Sequence, residues 1–299
     1  MGCNQRLRIT LENTYGTFDS GGTGIWIRLK QDEAFSMEVS PDFGVIRSAD
    51  TYNRRVQSWV GGSSVAGGLQ CSLYHAQAAA LLAWATTLTV SGDGTPTLPS
   101  YTCDFFDGIE YHRYLGVQVQ SLTVAAAPGN NAGEVTCAFS LIGQREGSAI
   151  DVDDLPVPAF TSFPSANPYT FFESTFKVGS TITHYNTLAL TISNMLAPIR
   201  NATTYIDGLY WGGRDVNLAT NLQHISSAQR DAWLARTAAD VEWTLTKGGN
   251  SVKFDVHTTN YRDTCRTAKP LASVNRQDLS FSAFFTGGAT LTDLTVTLV

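Results

Sequence analysis

The stretches VGGSSVAGGLQCS (60–72) and WGGRDVNLATNLQ (211–223) decide the fold of this 299-residue chain, because the second repeats the first. A shift of 151 residues superposes their glycine pairs and places Val65 over Val216. An alanine-rich segment follows each stretch and stays in step after one inserted residue. Such internal similarity predicts two copies of one structural unit.

The similarity continues upstream of the two stretches. FSMEVSPDFGVIR (35–47) lies over LALTISNMLAPIR (188–200) at a shift of 153 residues. Two copies are too few for a solenoid, so we expect two similar domains, each large enough to bury its own core. The predicted boundaries are a first domain over 1–147, a linker rich in Pro and Asp over 148–168, and a second domain over 169–299.

Composition favours strands over helices. Only 15% of the residues are charged, while Thr, Ser, Gly and aromatic residues are plentiful. The sequence therefore predicts a mainly β protein made of two tandem antiparallel β-sandwich or barrel domains, each with one flanking α-helix. The helices are expected from His75 to about Leu88 and over 227–240, the second beginning at a capping box of Ser226 and Gln229.

Several strand pairs are predicted from alternation and turn residues. The strands 114–126 and 134–143 are separated by PGNNAG, which predicts a hairpin. Residues 241–258 are predicted to form a second hairpin with Gly248-Gly249 at its tip. The last strands, 277–285 and 291–299, are expected to pair with each other.

Charge and cysteine usage exclude several classes of protein. The net charge is −6 and the chain has no run of Lys or Arg. The positively charged, phosphate-binding surface of a nucleic-acid-binding protein is therefore not expected. The five cysteines are odd in number and widely spaced, which predicts free structural thiols. With neither a signal peptide nor an apolar membrane span in its sequence, the chain is expected to be made in the cytoplasm.

Enzymatic motifs are weak, and we predict no catalysis, no metal and no cofactor. The five histidines occur singly, without metal-ligand spacing, and there is no nucleophile elbow or phosphate-binding loop. One carboxylate cluster, at Asp104, Asp107 and Glu110, is compatible with a paired-acid hydrolase. A solvated turn explains the same residues, and it is the interpretation we favour.

One segment, 41–58, reads as a long excursion with a strand embedded near 43–47. It carries three arginines and two aromatic residues, which are typical of interfaces between subunits. A solvated loop and a loop that docks on a neighbouring subunit remain alternatives. The contact candidates are Arg47, Tyr52, Arg54, Arg55 and Trp59.

The order of elements resembles that of the tail tube proteins of long-tailed, siphovirus-like bacteriophages, in their duplicated two-domain type. The likeness rests on the opening RLRITLENTYGTF, on the glycine-rich strand that runs into an alanine-rich helix, and on VQVQSLTVAA followed by EVTCAFSLIGQREG. It spans nearly the whole chain, although no single motif is diagnostic.

This resemblance implies a structural subunit of the virion tail, assembled in the bacterial host cytoplasm. Three two-domain chains would form a pseudo-hexameric ring, and rings would stack into a tube that conducts DNA from capsid to host without binding it specifically. The implied partners are further copies of the chain, a tape-measure protein, a tail terminator and baseplate or tip proteins. A long loop of one ring packs on the next, here 41–58, with 195–206 as its shorter counterpart.

Acidic residues near the strands expected to line the channel are candidates for its surface. These candidates are Glu38, Asp42, Asp207 and Asp215, each of which is equally compatible with an outward-facing solvated acid. A different class of function, a β-sandwich that binds carbohydrate or a receptor, stays open because six tryptophans and eleven tyrosines could stack on sugars.

Overall fold

The architecture is that of a computed structural model. It describes residues 5–30, 33–48, 54–90, 96–129, 131–148, 167–201, 203–223, 227–261, 265–268, 276–283 and 293–299. Side chains are described for these residues except 41–62, 89, 90, 131, 258–261 and 266–268.

Strands dominate the chain, and two α-helices accompany them. The helices are α1 (His75–Thr86) and α2 (Ala228–Leu234). The strands are β1 (Arg6–Leu11), β2 (Ile25–Ile27), β3 (Ala34–Ser48), β4 (Arg54–Ser72), β5 (Thr89–Val90), β6 (Pro96–Thr97), β7 (Tyr101–Phe106), β8 (Tyr111–Ala126), β9 (Thr136–Gly143), β10 (Arg145–Glu146), β11 (Ser174–Val178), β12 (Thr181–Ile182), β13 (Tyr185–Ile199), β14 (Gly208–Gln223), β15 (Ala239–Lys247), β16 (Asn250–Tyr261), β17 (Arg266–Ala268), β18 (Arg276–Ser282) and β19 (Leu294–Leu298).

One large antiparallel sheet runs through both halves of the chain. Its strand order is β3, β4, β9, β8, β13, β14, β18 and β17, with the last two residues of β16 also paired to β18. The first four strands come from the first half and the rest from the second. The halves meet where β8 pairs with β13.

A smaller sheet packs behind each half of the large one. In the first half its order is β2, β1, β7, β8 and β10, and in the second half it is β12, β11, β15, β16 and β19. The strands β8 and β16 belong to both layers. In β8 the change of layer falls at Gly116, whose φ of 64° lies in the left-handed region that favours glycine.

The hydrophobic core lies between the large sheet and the two smaller ones. Alternate residues of the large sheet point into it, as period-2 strand geometry requires. Trp84 on α1 and Trp243 on β15 are fully buried there. Trp84 also donates its indole N–H to the Val117 carbonyl oxygen at 3.2 Å, which satisfies its polar atom.

The mainly β, antiparallel character predicted from sequence is confirmed, and so are helix α1 and the β8–β9 hairpin. The β15–β16 hairpin also matches its prediction. Gly248 and Gly249 form its tip at φ of 58° and 91°, which is the backbone of a type I′ turn.

The predicted length of the second helix is wrong. It was expected over 227–240, but α2 ends at Leu234 and β15 begins at Ala239. Arg236 adopts φ of 51°, and its N–H bonds the Trp233 carbonyl while Thr237 bonds that of Ala232. A left-handed residue of this kind ends a helix. Ser226, in the predicted capping box, lies outside the described residues.

The predicted pairing of the last two strands is also wrong. Strand β18 lies in the large sheet beside β14, whereas β19 pairs with β16 in the smaller sheet. There β19 covers the edge of β16, as β10 covers that of β8. Alternation had indicated two strands correctly but carries no information about their partners.

The segment 41–58 is more regular than predicted. Instead of a strand near 43–47 within a loop, β3 continues to Ser48 and β4 begins at Arg54, and the two remain paired throughout. The counterpart hairpin extends β13 to Ile199, so the predicted loop 195–206 is strand up to that residue.

Candidate functional site

The side of the large sheet opposite the core, called here the polar face, carries mostly small and uncharged residues. In β8 the core side holds Leu122 and Val124, while Ser121, Thr123 and Ala125 alternate onto the polar face. The same alternation places these further residues there: Ser64, Ala66, Gly68, Ala138, Ser140, Ala189, Thr191, Ser193, Asn217, Ala219, Asn221 and Ser280. These small, uncharged side chains can form hydrogen bonds with water, but they carry no positive charge with which to bind a polyanion.

Charged side chains are few on the polar face and mostly acidic. Among the described side chains of the sheet, the acids there are Glu38, Asp215 and Asp278, and the base is Arg276. Asp278 accepts a hydrogen bond from the Asn221 amide, and Asp215 accepts one from Asn217 at 3.0 Å. The face therefore combines neutral polar groups with a slight excess of negative charge, which repels phosphate.

The structure separates the four predicted channel acids. Glu38 and Asp215 lie on the polar face, Glu38 being exposed and Asp215 half-buried. Asp207 instead closes the loop after β13, because its carboxylate accepts hydrogen bonds from the Asn201 N–H and the Thr203 hydroxyl at 2.6 and 2.8 Å. Asp42 belongs to β3, in the part whose side chains lie outside the description.

Sequence reasoning missed Asp278 and Arg276. Both alternate onto the polar face of β18, whose core side holds Gln277, Leu279 and Phe281. The alternation was visible in the sequence. The missing information was that β18, and not β19, extends the large sheet.

The contact candidates of the long hairpin fall in its distal half. Arg47 pairs in register with Arg55, and Gly44 pairs with Trp59, so these residues sit on a strand ladder and not on an irregular loop. Arg54 begins β4, and Tyr52 lies outside the described residues. Contact between these residues and a neighbouring subunit stays a prediction.

Within the described part of the chain, the large sheet has an open strand at each end. Among the described pairings, β3 bonds only β4, and β17 bonds only β18. A row of unpaired backbone groups on an edge strand is a template for pairing with another chain. The β8–β13 junction shows how such an edge is satisfied where the two halves of one chain meet.

The family model described as "Phage tail tube protein" matches residues 2–296, which include both halves and the whole large sheet. The chain belongs to the phage tail tube protein family. No curated protein matches it significantly. Membership makes the protein a structural component of a virion tail that works as an oligomer, and the family is not a family of enzymes.

For this tail tube protein, the cluster at Asp104 is a buried ion network. The Asp104 side chain has no exposed surface and contacts the guanidinium groups of Arg8 and Arg113 at 2.6 Å each. Our favoured interpretation of the cluster as a solvated turn is thus wrong for Asp104. It holds for Asp107 and Glu110, which are exposed.

The turn at Asp107 has its own structural explanation. Its carboxylate accepts hydrogen bonds from the N–H groups of Glu110 and Ile109, at 2.7 Å each, and these bonds hold the pKa of Asp107 below its usual range. The general acid of a paired-acid hydrolase must keep its proton near neutral pH, and the lowered pKa of Asp107 does not fit that role.

A cleft of about 630 Å³ lies between the halves of the tail tube protein, bounded by the loop after β13 and by the end of α1. Its buried acid, Glu12, already has three hydrogen-bond donors. The carboxylate accepts hydrogens from the N–H of Gly16 and Gly116 and from the Thr102 hydroxyl, at 2.8 to 2.9 Å. Burial followed by the charge of Glu12 raises the pKa of Tyr15 in the same cleft.

The described part of the chain also bears on metal sites and membrane spans. No group of three or more His, Cys, Asp or Glu side chains comes together there as a metal site would require. No helix among those residues has the length and apolarity to cross a bilayer.

Proposed function

We propose that three copies of this tail tube protein close into a ring by pairing the open strands of their large sheets. Eight strand positions in each of three chains make a closed barrel of 24 strands. The observation that carries the proposal is the β8–β13 junction, in which one half of the chain already continues the sheet of the other. Closure would remove the two edges that each chain leaves open.

The internal equivalence of the halves supports the same arrangement. In each half a long hairpin leads into a helix, and its second strand pairs with a strand near the end of that half: β4 with β9, and β14 with β18. We propose that residues 1–147 and 169–299 are two copies of one unit joined by the linker 148–168. Equivalent units around a ring would then present equivalent edges.

We propose that the polar face lines the channel through which DNA passes. A sliding polyanion needs a surface that neither traps phosphates nor exposes apolar patches, and the polar face meets both requirements. The mild excess of acidic side chains on this face repels phosphate groups and so reduces their contacts with the surface. DNA would pass without specific binding.

We propose further that rings stack into the tail tube through the long β3–β4 hairpin. Its strand β4 has 19 residues, against 16 in the counterpart β14, and its distal half carries Arg47, Arg54, Arg55 and Trp59. Tape-measure, terminator and tip proteins are the expected partners during assembly in the host cytoplasm.

The decisive experiment is electron microscopy of the purified full-length chain, combined with native mass spectrometry. Rings of three chains with a central hole, alone or stacked, are expected. A chain that stays monomeric at every concentration, in the presence and absence of tail initiator proteins, contradicts the proposal. Rings containing six chains would contradict the trimer while leaving the tube intact.

A further inference from the structure

The β8–β13 junction between the two halves has a definite register, and this register serves as a template for pairing between chains. Thr123 on β8 lies opposite Thr191 on β13, and their hydroxyl oxygens are 3.2 Å apart on the polar face. On the core side of the same junction, Leu122 lies opposite Ile192, and both side chains are fully buried. The seam is therefore polar on one side and dry on the other.

The residues of β3 that correspond to this junction follow from the hairpin registers. Val65 pairs with Val39 in the first hairpin, and Val216 pairs with Ile192 in the second. Because Val65 corresponds to Val216, Val39 corresponds to Ile192. By the same step Glu38 corresponds to Thr191.

The residues of β17 follow from the last strand of each half. Val65 pairs with Gly143, and Ala283 donates its N–H to Val216, so Gly143 corresponds to Ala283. Five residues earlier, Ala138 therefore corresponds to Asp278.

The residues paired with Ala138 and Asp278 on the next strand must also correspond to each other. Ala138 pairs with Thr123, and Asp278 pairs with Arg266. Arg266 thus takes the position of Thr123, and Cys265 takes that of Leu122.

The side chains at the open edges are more exposed than their counterparts at the closed β8–β13 junction. Val39 is 37% exposed, whereas Ile192 at the closed junction is fully buried. Cys265 is half-buried, whereas Leu122 is fully buried. Each edge thus shows apolar surface at the position where the internal junction hides it, as expected if another strand completes the seam.

We propose that β3 of one chain pairs antiparallel with β17 of the next in the register of the β8–β13 junction. Arg266 then takes the register position opposite Glu38, and Cys265 takes the position opposite Val39 on the core side. This inference rests on the proposed ring and adds its register. The occupant of each open edge is a second copy of this chain.

Charge complementarity supports this register independently of the apolar contacts. The internal junction has a threonine pair, and the seam between chains has a cation opposite an anion in the same two positions. Opposite charges on directly facing residues stabilise antiparallel strands, and like charges oppose them.

Cysteine cross-linking tests the register directly. In a Cys3→Ser background, Val39→Cys should link to the native Cys265 of the next chain under mild oxidation or with a short bis-maleimide. Covalent dimers and trimers are expected on denaturing gels. The control is Val39→Cys combined with Cys265→Ser, which should form rings without the cross-link. The other described cysteines, Cys71, Cys103 and Cys137, are buried.

Charge reversal provides a second, independent test. Glu38→Arg places two cations opposite each other and should weaken chain association by about fivefold to tenfold. Arg266→Glu should do the same, and the double reversal should recover most of the loss. Glu110→Arg makes the same change of charge on an exposed turn and should leave association unchanged.

The outcomes separate this inference from the function it rests on. Failure of the unmodified chain to form rings overturns the ring and its register together. Rings that form normally but give no Val39–Cys265 cross-link, and no recovery in the double reversal, overturn the register alone.

Discussion

The Asp104 carboxylate lies 2.6 Å from the Nε atom of Arg113, and the Asp104 side chain has no exposed surface. Arg8 contacts the other carboxylate oxygen, so one buried anion joins β1, β7 and β8. The arrangement is structural, since one buried acid pairs with arginines on two other strands.

We expect Asp104→Ala to lower the free energy of unfolding by about 3–5 kcal/mol, because it leaves two guanidinium groups facing a small apolar side chain. Chemical denaturation monitored by circular dichroism measures the change. Glu110→Ala, an exposed acid from the same cluster, is the control and should change stability by less than about 0.5 kcal/mol. Equal effects of the two substitutions would contradict the assigned role.

A buried asparagine ties the second half to the first. The Asn194 side-chain amide donates to the carbonyl oxygens of Ala85, on α1, and Val119, on β8, at 3.1 Å each. Asn194→Ala should cost about 1–3 kcal/mol, because it leaves both carbonyls without this donor. Separate unfolding of the halves, seen as two transitions in urea, is the further sign to look for.

The matched control is Asn186→Ala. Its amide bonds the Asn221 side chain at 3.0 Å within the second half, so its loss should be smaller and the unfolding should stay a single transition. A larger effect at Asn186 than at Asn194 would show that Asn194 does not couple the halves.

Alkaline pH should destabilise the fold. Burial raises the pKa of the Cys71 and Cys103 thiols, raises that of Cys137 to about 12, and raises that of Tyr114 to about 12. A raised folded-state pKa contributes stability that is fully present below the unfolded-state pKa, about 8.5 for a thiol, and is lost as pH rises above it. The free energy of unfolding should therefore fall between about pH 8.5 and 12, by about 1.4 kcal/mol per pH unit for each buried thiol.

Urea titrations at several pH values measure this slope. In Cys137→Ala the slope between about pH 9 and 11 should decrease by the share of one thiol, whatever the substitution does to stability at neutral pH. A slope that is unchanged would mean that Cys137 ionises in the folded chain as readily as in the unfolded one.

A cation introduced on the polar face should make the channel surface bind DNA. Ala219 is exposed at the middle of β14 and faces away from the core. In assembled tubes, Ala219→Lys should create binding of short duplex DNA that weakens steeply with salt, because each lysine–phosphate contact releases counterions. Ala219→Gln, which adds length without charge, is the control. Equal DNA binding by both variants would show that the face does not meet DNA.

Much of the fold was visible in the sequence. The superposition of Val65 on Val216, the glycine pairs before each helix and the alternating strands together indicated a repeated antiparallel β plan. These signals are local, and they survive because burial on one face imposes a period of two on each strand. The resemblance to tail tube proteins placed the acids Glu38 and Asp215 near the strands expected to line the channel, and both lie on the polar face. That this face lines a channel stays a proposal.

Tertiary structure alone decided which strand meets which. Asp104 is buried because Arg8, 96 residues away in the chain, reaches it across a strand pair. Asp278 joins the polar face because β18, and not β19, continues the large sheet. Alternation tells that a strand has two faces, but the choice of partner depends on long-range packing and on edges left to cover, which no local pattern encodes.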